Sequence, residues 1–257
     1  MTLSTLRGLI RRRLLVNYRV DPDVLRLLPA PFRPSLVGNW GVAGICLIRI
    51  EQLRPSWLPA RVGLSSENAA HRIAVCWTDA DGTSREGVFI PRRDTGSLIT
   101  RWAGGRIFPG EHHRARFTVR DLGGRLELRV RSVDGVVAVD LRCARAVRLP
   151  ATSVFGSLAA ASAFFERGSL GYSARATGAR LDGLRLVTRR WRVEPLAVED
   201  VQSSFFDDPA RFPRGTVEFD CALLMRDVEH SWHGAPPLMT RARGTAAADR
   251  GVLVGEP

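Results

Sequence analysis

The chain has 257 residues, 45% of them apolar and 25% charged, a composition that excludes a disordered polymer and suffices for one large core. Its formal net charge is +12, yet it has no Lys: all 38 basic residues are Arg, spread along the whole sequence. Nucleic-acid binders group their cations on one face beside stacking aromatics, and only 7% of these residues are aromatic, so nucleic acid is not an expected partner.

An all-Arg usage fits a GC-rich coding sequence better than a phosphate-binding surface. The longest apolar runs, such as 42–48, fall far short of the ~20 residues a membrane helix needs. The opening MTLSTLRGLIRRR places its Arg after a short apolar patch, the reverse of a secretory signal. The expectation is a cytoplasmic protein with no membrane partner. Cys46, Cys76, Cys143 and Cys221 lie far apart in apolar segments, which suits free buried thiols rather than a disulfide frame or zinc cluster.

In chain order, residues 2–13 read as a short amphipathic helix with Leu3, Leu6, Leu9 and Ile10 on one side. Residues 14–20 alternate as a strand. Asp21-Pro22 opens a helix that buries Leu25 and Leu28 and ends at Pro29 and Pro31. Residues 36–53 read as a long strand or hairpin, with Gly38, Gly41 and Gly44 marking bulges or close backbone contacts.

A Pro-rich loop over 55–66 leads to a hairpin: strand 70–78, turn DADG at 79–82, return strand 84–90. Asp94 is placed to cap a short helix through Trp102, stopped by Gly104-Gly105. Residues 114–121, 125–132 and 136–146 form a meander, joined by turns at Gly123-Gly124 and Asp134-Gly135. A clear helix over 153–167 buries Phe155, Leu158, Ala161, Phe164 and Phe165 and stops at Gly168. Strands are expected near 170–174, 184–188, 191–193, 196–206 and 216–228, and a disordered tail from Gly234. The class is α+β: a mainly antiparallel β domain over 14–233 with two or three helices, an N-terminal segment 1–13 before it and the tail 234–257 after it.

Two stretches resemble the acetoacetate-decarboxylase-like superfamily. YRVDPDVLRLLPAP at 18–31 resembles its strand-then-helix opening. The second stretch runs from Glu67, Asn68 and Arg72 through Gly87-Val88-Phe89 and Asp94 to Phe108-Pro109 and His113-Arg114-Ala115-Arg116. It is similar to the uncharacterised YqjF-like bacterial family of that superfamily, as are Phe164-Phe165-Glu166-Arg167, Tyr172 and Trp191. The chain departs from that pattern at the Pro-Gly bend and at Gly168. The resemblance implies a closed, cone-like antiparallel β-barrel with flanking helices and a polar interior pocket.

Acetoacetate decarboxylases act through a Schiff-base Lys activated by desolvation and a nearby cation. The stretch resembling their nucleophile loop, 108–113, carries Gly110 and Glu111, and a guanidinium stays protonated and cannot substitute. Without Lys, acid–base chemistry remains open to Glu67, Glu111, His112 and His113, with Glu111 and His113 as the catalytic candidates. Arg72, Arg92 and Arg93 are candidate carboxylate clamps. Strand alternation puts Glu67 and His71 on one face and Asn68 and Arg72 on the other. Asn68 and Arg72 are therefore expected inward, with Glu67 near the mouth; Glu67 and Arg72 also suit structural ion pairs. Only one of His112 and His113 can line a pocket.

His230 and His233 lack the context of a metal site, and no Gly-x-Ser-x-Gly motif occurs. No metal or cofactor is expected. The leading reading is a binder of a small anionic organic ligand through Glu67, Asn68, Arg72, Arg92 and His112. The alternatives are a lyase- or hydratase-type enzyme using Glu111 and His113 on a keto acid, and a scaffold with a filled barrel. A homo-oligomer is compatible with each.

Overall fold

Residues 6–13 form strand, not helix. β1 (Leu6–Val20) is hydrogen-bonded along both edges, to β4 (Trp40–Pro55) and to β13 (Val217–Met239). These ladders satisfy its backbone over its whole length and override the local helical spacing. That spacing has a cause. The pairing shifts between Ile10 and Arg12, so the alternation of β1 changes phase there. Leu6, Ile10 and Leu15 then pack into one core, while Leu14, Val16 and Tyr18 pack into the other.

The structure, a computed structural model, describes residues 5–97, 110–174 and 180–240. Asp21 caps a 3-10 helix (Pro22–Leu27) by accepting from the Asp23 N–H at 2.9 Å, and Leu25 and Leu28 are buried as expected. Short strands β2 (Arg33–Pro34) and β3 (Leu36–Val37) precede β4. A 3-10 turn (Ala60–Val62) leads into β5 (Leu64–Thr78), and β6 (Ser84–Thr95) returns beside it through the DADG turn, with Gly82 at φ +80°. Asp94 thus ends a strand; most of the helix expected after it lies outside the described residues.

The meander follows as β7 (His112–Leu122), β8 (Arg125–Ser132) and β9 (Ala138–Arg145). Helix α1 (Leu158–Arg167) is capped by Ser157, whose Oγ accepts from the Ala160 N–H at 3.1 Å. It is the one α-helix among the described residues and buries Ala161 and Phe165. After it come β10 (Leu170–Ala174), β11 (Arg180–Thr188) and β12 (Glu194–Ser203). Residues 191–193 are not strand. Residues 234–239, expected to open the tail, instead continue β13 and pair with β11, and residues 241–257 of that expectation lie outside the described residues.

All strands join one 13-stranded sheet, antiparallel except where β6 runs parallel to β7 and to β10. Two further pairings, β5 with β6 and β11 with β13, close the sheet on itself. One closed circuit runs β1–β4–β5–β6–β10–β11–β13, and a second runs from β6 through β7, β8, β9 and β12 to β13. This is the expected α+β class, built as a large mixed sheet with circuits of strands.

One core, with Leu14, Ile45, Leu128 and Leu141, ends on Phe205, Phe206 and Phe212, whose rings meet edge-to-face and tilted. The other packs Leu15, Ile48, Leu223 and Met225 with Phe165 of α1. All four Cys are free, and Cys143 and Cys221 are fully buried. No helix among the described residues is long and apolar enough to cross a membrane.

Candidate functional site

The circuit of β1, β4, β5, β6, β10, β11 and β13 surrounds an open-mouthed cavity whose lining includes residues from each of these strands. Its volume is about 130 Å³, roughly ten times the space one water needs, so a small organic molecule fits. Most of the lining is hydrocarbon, from Ile48, Ile50, Val88, Ile90, Leu184 and Trp232. Among the described residues the polar lining groups are few: Arg13 on β1, Ser66 and Asn68 on β5, Arg93 and Asp94 on β6, His112 on β7, and Ser169.

Arg93 reaches the cavity because β6 bulges. The β5–β6 pairing slips between His71 and Ile73, at the point where Pro91 has no N–H to donate. Val88, Ile90 and Arg93 consequently share the cavity face, and Arg92 points elsewhere. Arg93 Nε donates to Ser173 Oγ at 3.1 Å. Burial pushes its guanidinium pKa down to about 10, still above neutral pH.

Arg13 Nε lies 3.3 Å from Cys46 Sγ, Nη1 lies 3.8 Å from Met225 Sδ, and the guanidinium sits 5.6 Å over Trp191. Neither Arg13 nor Arg93 has a carboxylate partner among the described residues, whereas Arg12 and Arg92 both do. Opposite Arg93, burial and then the Arg93 cation hold the His112 pKa down to about 3, so its ring is neutral. Asn68 is fixed by its neighbours: its Nδ2 donates to Ser66 Oγ at 2.9 Å and its Oδ1 accepts from Thr95 Oγ1 at 2.8 Å. The site is therefore a largely apolar chamber lined by two guanidiniums that lack a carboxylate partner among the described residues and by one carboxylate, Asp94, that is already paired with Arg92.

The structure brings Asn68, Arg93 and His112 together and separates the other candidates. Arg72 shares a β5 face with Asn68 but lies under α1, donating from Nη2 to Asn17 Oδ1, with its guanidinium 4.8 Å over Phe165. Glu67 is outside the cavity lining and accepts from Arg12 Nη2 at 2.9 and 3.0 Å. Arg92 bridges Asp94 and Asp134, each at 2.8 Å. His113 joins that cluster through Nδ1, 3.2 Å from Asp134, and the exposed Glu111 lies 4.0 Å from His113 Nε2. Glu111, His113 and Arg92 thus form a rim network outside the cavity lining.

His71, on the face opposite Asn68, is fully buried against Phe205 with ring centroids 4.4 Å apart. Neither of its ring nitrogens has a hydrogen-bond partner among the described residues. Arg13 was not legible as a site residue, since its stretch reads as a charged helix face. Pro91 inside a strand pattern was the signal that separates Arg93 from Arg92. Among the described residues no group of three or more His, Cys, Asp and Glu could hold a metal.

No family model and no curated protein matches the chain. Solved structures do. An acetoacetate decarboxylase from Legionella pneumophila is 12% identical, with 92% of this chain and 87% of that one covered at a TM-score of 0.57. An acetoacetate decarboxylase-like enzyme from Sphingomonas wittichii RW1 is 15% identical, covering 91% and 92% at 0.54. The enduracididine biosynthesis enzyme MppR, solved with pyruvate, is 15% identical, covering 91% and 89% at 0.53. The chain has the acetoacetate-decarboxylase-like fold.

Proposed function

We propose that the chain binds a small anionic organic ligand in this cavity, with Arg93 as the principal cation, and without Schiff-base chemistry. The observation that carries this reading is a cavity lined by two guanidiniums with no carboxylate partner for either among the described residues, while its lining carboxylate, Asp94, is taken up by Arg92. A partly buried cation without a counter-charge leaves its donors open to an anion, and a bound carboxylate supplies one with bidentate geometry. That MppR was solved with pyruvate supports a carboxylate as the ligand type. The absence of any Lys supports binding without an iminium step. Kinship with the YqjF-like family rests on the motifs around Glu67–Arg72 and Gly87–Phe89 and forms part of this reading.

The cavity weighs against a scaffold with a filled interior. Acid–base catalysis by Glu111 and His113 retains one supporting contact: Asp134 holds His113 Nδ1 and leaves Nε2 facing Glu111. That pair lies outside the cavity lining, so the binding reading is preferred.

Native mass spectrometry of gently purified protein tests the proposal. The expected result is a non-covalent acidic adduct that denaturation releases. A clean mass that stays clean after soaking with mixed small organic acids would overturn it.

A further inference from the structure

The charged lining groups, Arg13, Arg93 and the Arg92-paired Asp94, all lie on one arc of the cavity, among the apolar Ile48, Ile50 and Leu53. On that arc the register sets the polar groups side by side. Arg13 is opposite Ile48, and Ile48 is opposite Asn68. Cys46 is opposite Ala70, Ala70 is opposite Arg93, and Arg93 is opposite His112. The other arc is built by β10, β11 and β13. There Val88 of β6 meets Gly171, Gly171 meets Leu184, and Leu186 meets Trp232. Among the described residues, the lining from 168 onward includes no charged side chain.

Gly171 keeps this wall deep. A Cβ at that position would meet Ile90 Cδ1 at 2.9 Å and Val88 Cγ2 at 3.5 Å, so any side chain there would take up cavity space.

We propose that the ligand is a monocarboxylate with a branched aliphatic or aromatic tail. Its carboxylate sits at Arg93, and its tail lies against Val88, Ile90, Leu184, Leu186 and Trp232. The proposal rests on the anion-binding reading above and narrows its ligand class. A compact polar acid such as pyruvate would leave the hydrocarbon wall without a partner. A short dicarboxylate clamped between Arg13 and Arg93 is the rival class, and it would leave the same wall uncovered. A longer dicarboxylate would press its second charge against that wall and lose its hydration there.

Titration calorimetry on the wild-type chain distinguishes these classes. The probes are acetate, butyrate, 4-methylpentanoate and 3-phenylpropanoate, with pyruvate, succinate and neutral 4-methylpentan-1-ol as comparators. Affinity is expected to rise about fourfold for each added methylene until the wall is covered. 4-Methylpentanoate should bind at least tenfold tighter than pyruvate, succinate and its own alcohol. In Gly171→Val the rise should stop at a shorter tail. A flat series, or tighter binding of pyruvate or succinate, would overturn the ligand class while leaving anion binding intact. If none of these carboxylates binds, the ligand class and the anion-binding reading fall together.

Discussion

Arg72, which is buried, and Arg93, which is partly buried at the cavity, illustrate how partners decide what a charge does. Burial pushes the guanidinium pKa of both Arg72 and Arg93 down to about 10. Arg72 donates to Asn17 and lies over Phe165, so it ties β1 and β5 to α1. Removing it strands the Asn17 oxygen and opens space under the helix. Arg72→Ala should lower unfolding stability by about 2–4 kcal/mol, read by denaturant titration. Arg93 faces the cavity, so Arg93→Met should leave the ligand-free protein equally stable or more stable by ~1 kcal/mol. Equal losses in both variants would contradict the separation of roles. Alternation along β5 did anticipate that Glu67 and Asn68 part company. It did not reveal that Arg72, on the cavity face, is sealed under α1. That depends on where residues 158–167 dock, which is a tertiary fact.

At the scale of elements, the sheet is organised on β1, flanked throughout by β4 and β13. Gly44 on β4 makes the closest approach there. A Cβ at this position would lie 2.3 Å from the Val16 carbonyl oxygen, which is backbone in a paired strand and cannot move cheaply. Gly44→Ala should therefore destabilise the fold by about 2–3 kcal/mol in urea melts. A change below ~0.5 kcal/mol would mean that the two strands can slide apart. The spacing of Gly38, Gly41 and Gly44 announced a close contact in the sequence. Hairpins with local turns, such as 79–82, and the Ala-rich helix were legible for the same reason: their signals are local. β1 was not, because its bulge makes apolar residues fall at helical spacing. The end of β13 was not, because Ala, Gly and Pro after Gly234 read as a tail until β11 pairs with them.

At the scale of the whole molecule, three buried histidines set the response to acid. Burial, the largest cause in each case, holds the pKa of His71 and His112 down to about 3 and that of His230 to about 4. Unfolded His titrates near 6.5. As pH falls below that value the unfolded chain takes up protons that the folded chain refuses. The stability from these groups is thus complete above about pH 6.5 and is lost as pH drops toward their folded values. The expected slope is roughly 3 kcal/mol per pH unit below about pH 6, read by urea melts between pH 7.5 and 5.

Asp134 acts in a lower window. A hydrogen bond from Ser132 and the pairing with Arg92 hold its carboxyl below the usual range, so its contribution fades only as pH falls under about 4. Stability that stays level from pH 7.5 to 5 would contradict the burial of these rings. The fold class was legible from strand periodicity and turn spacing. The closure of the circuits was not, because the pairings of β5 with β6 and of β11 with β13 enclose the cavity through contacts that no local pattern encodes.

Arg93, on the inner face of the strand circuit, is the proposed carboxylate receptor. The most direct measurement is calorimetric titration of 4-methylpentanoate into the wild-type chain and into Arg93→Gln. The account expects saturable one-to-one binding to the wild type and at least a tenfold loss in the variant, whose unfolding transition should be retained. Equal affinity in the two proteins, or no heat in either, would contradict it.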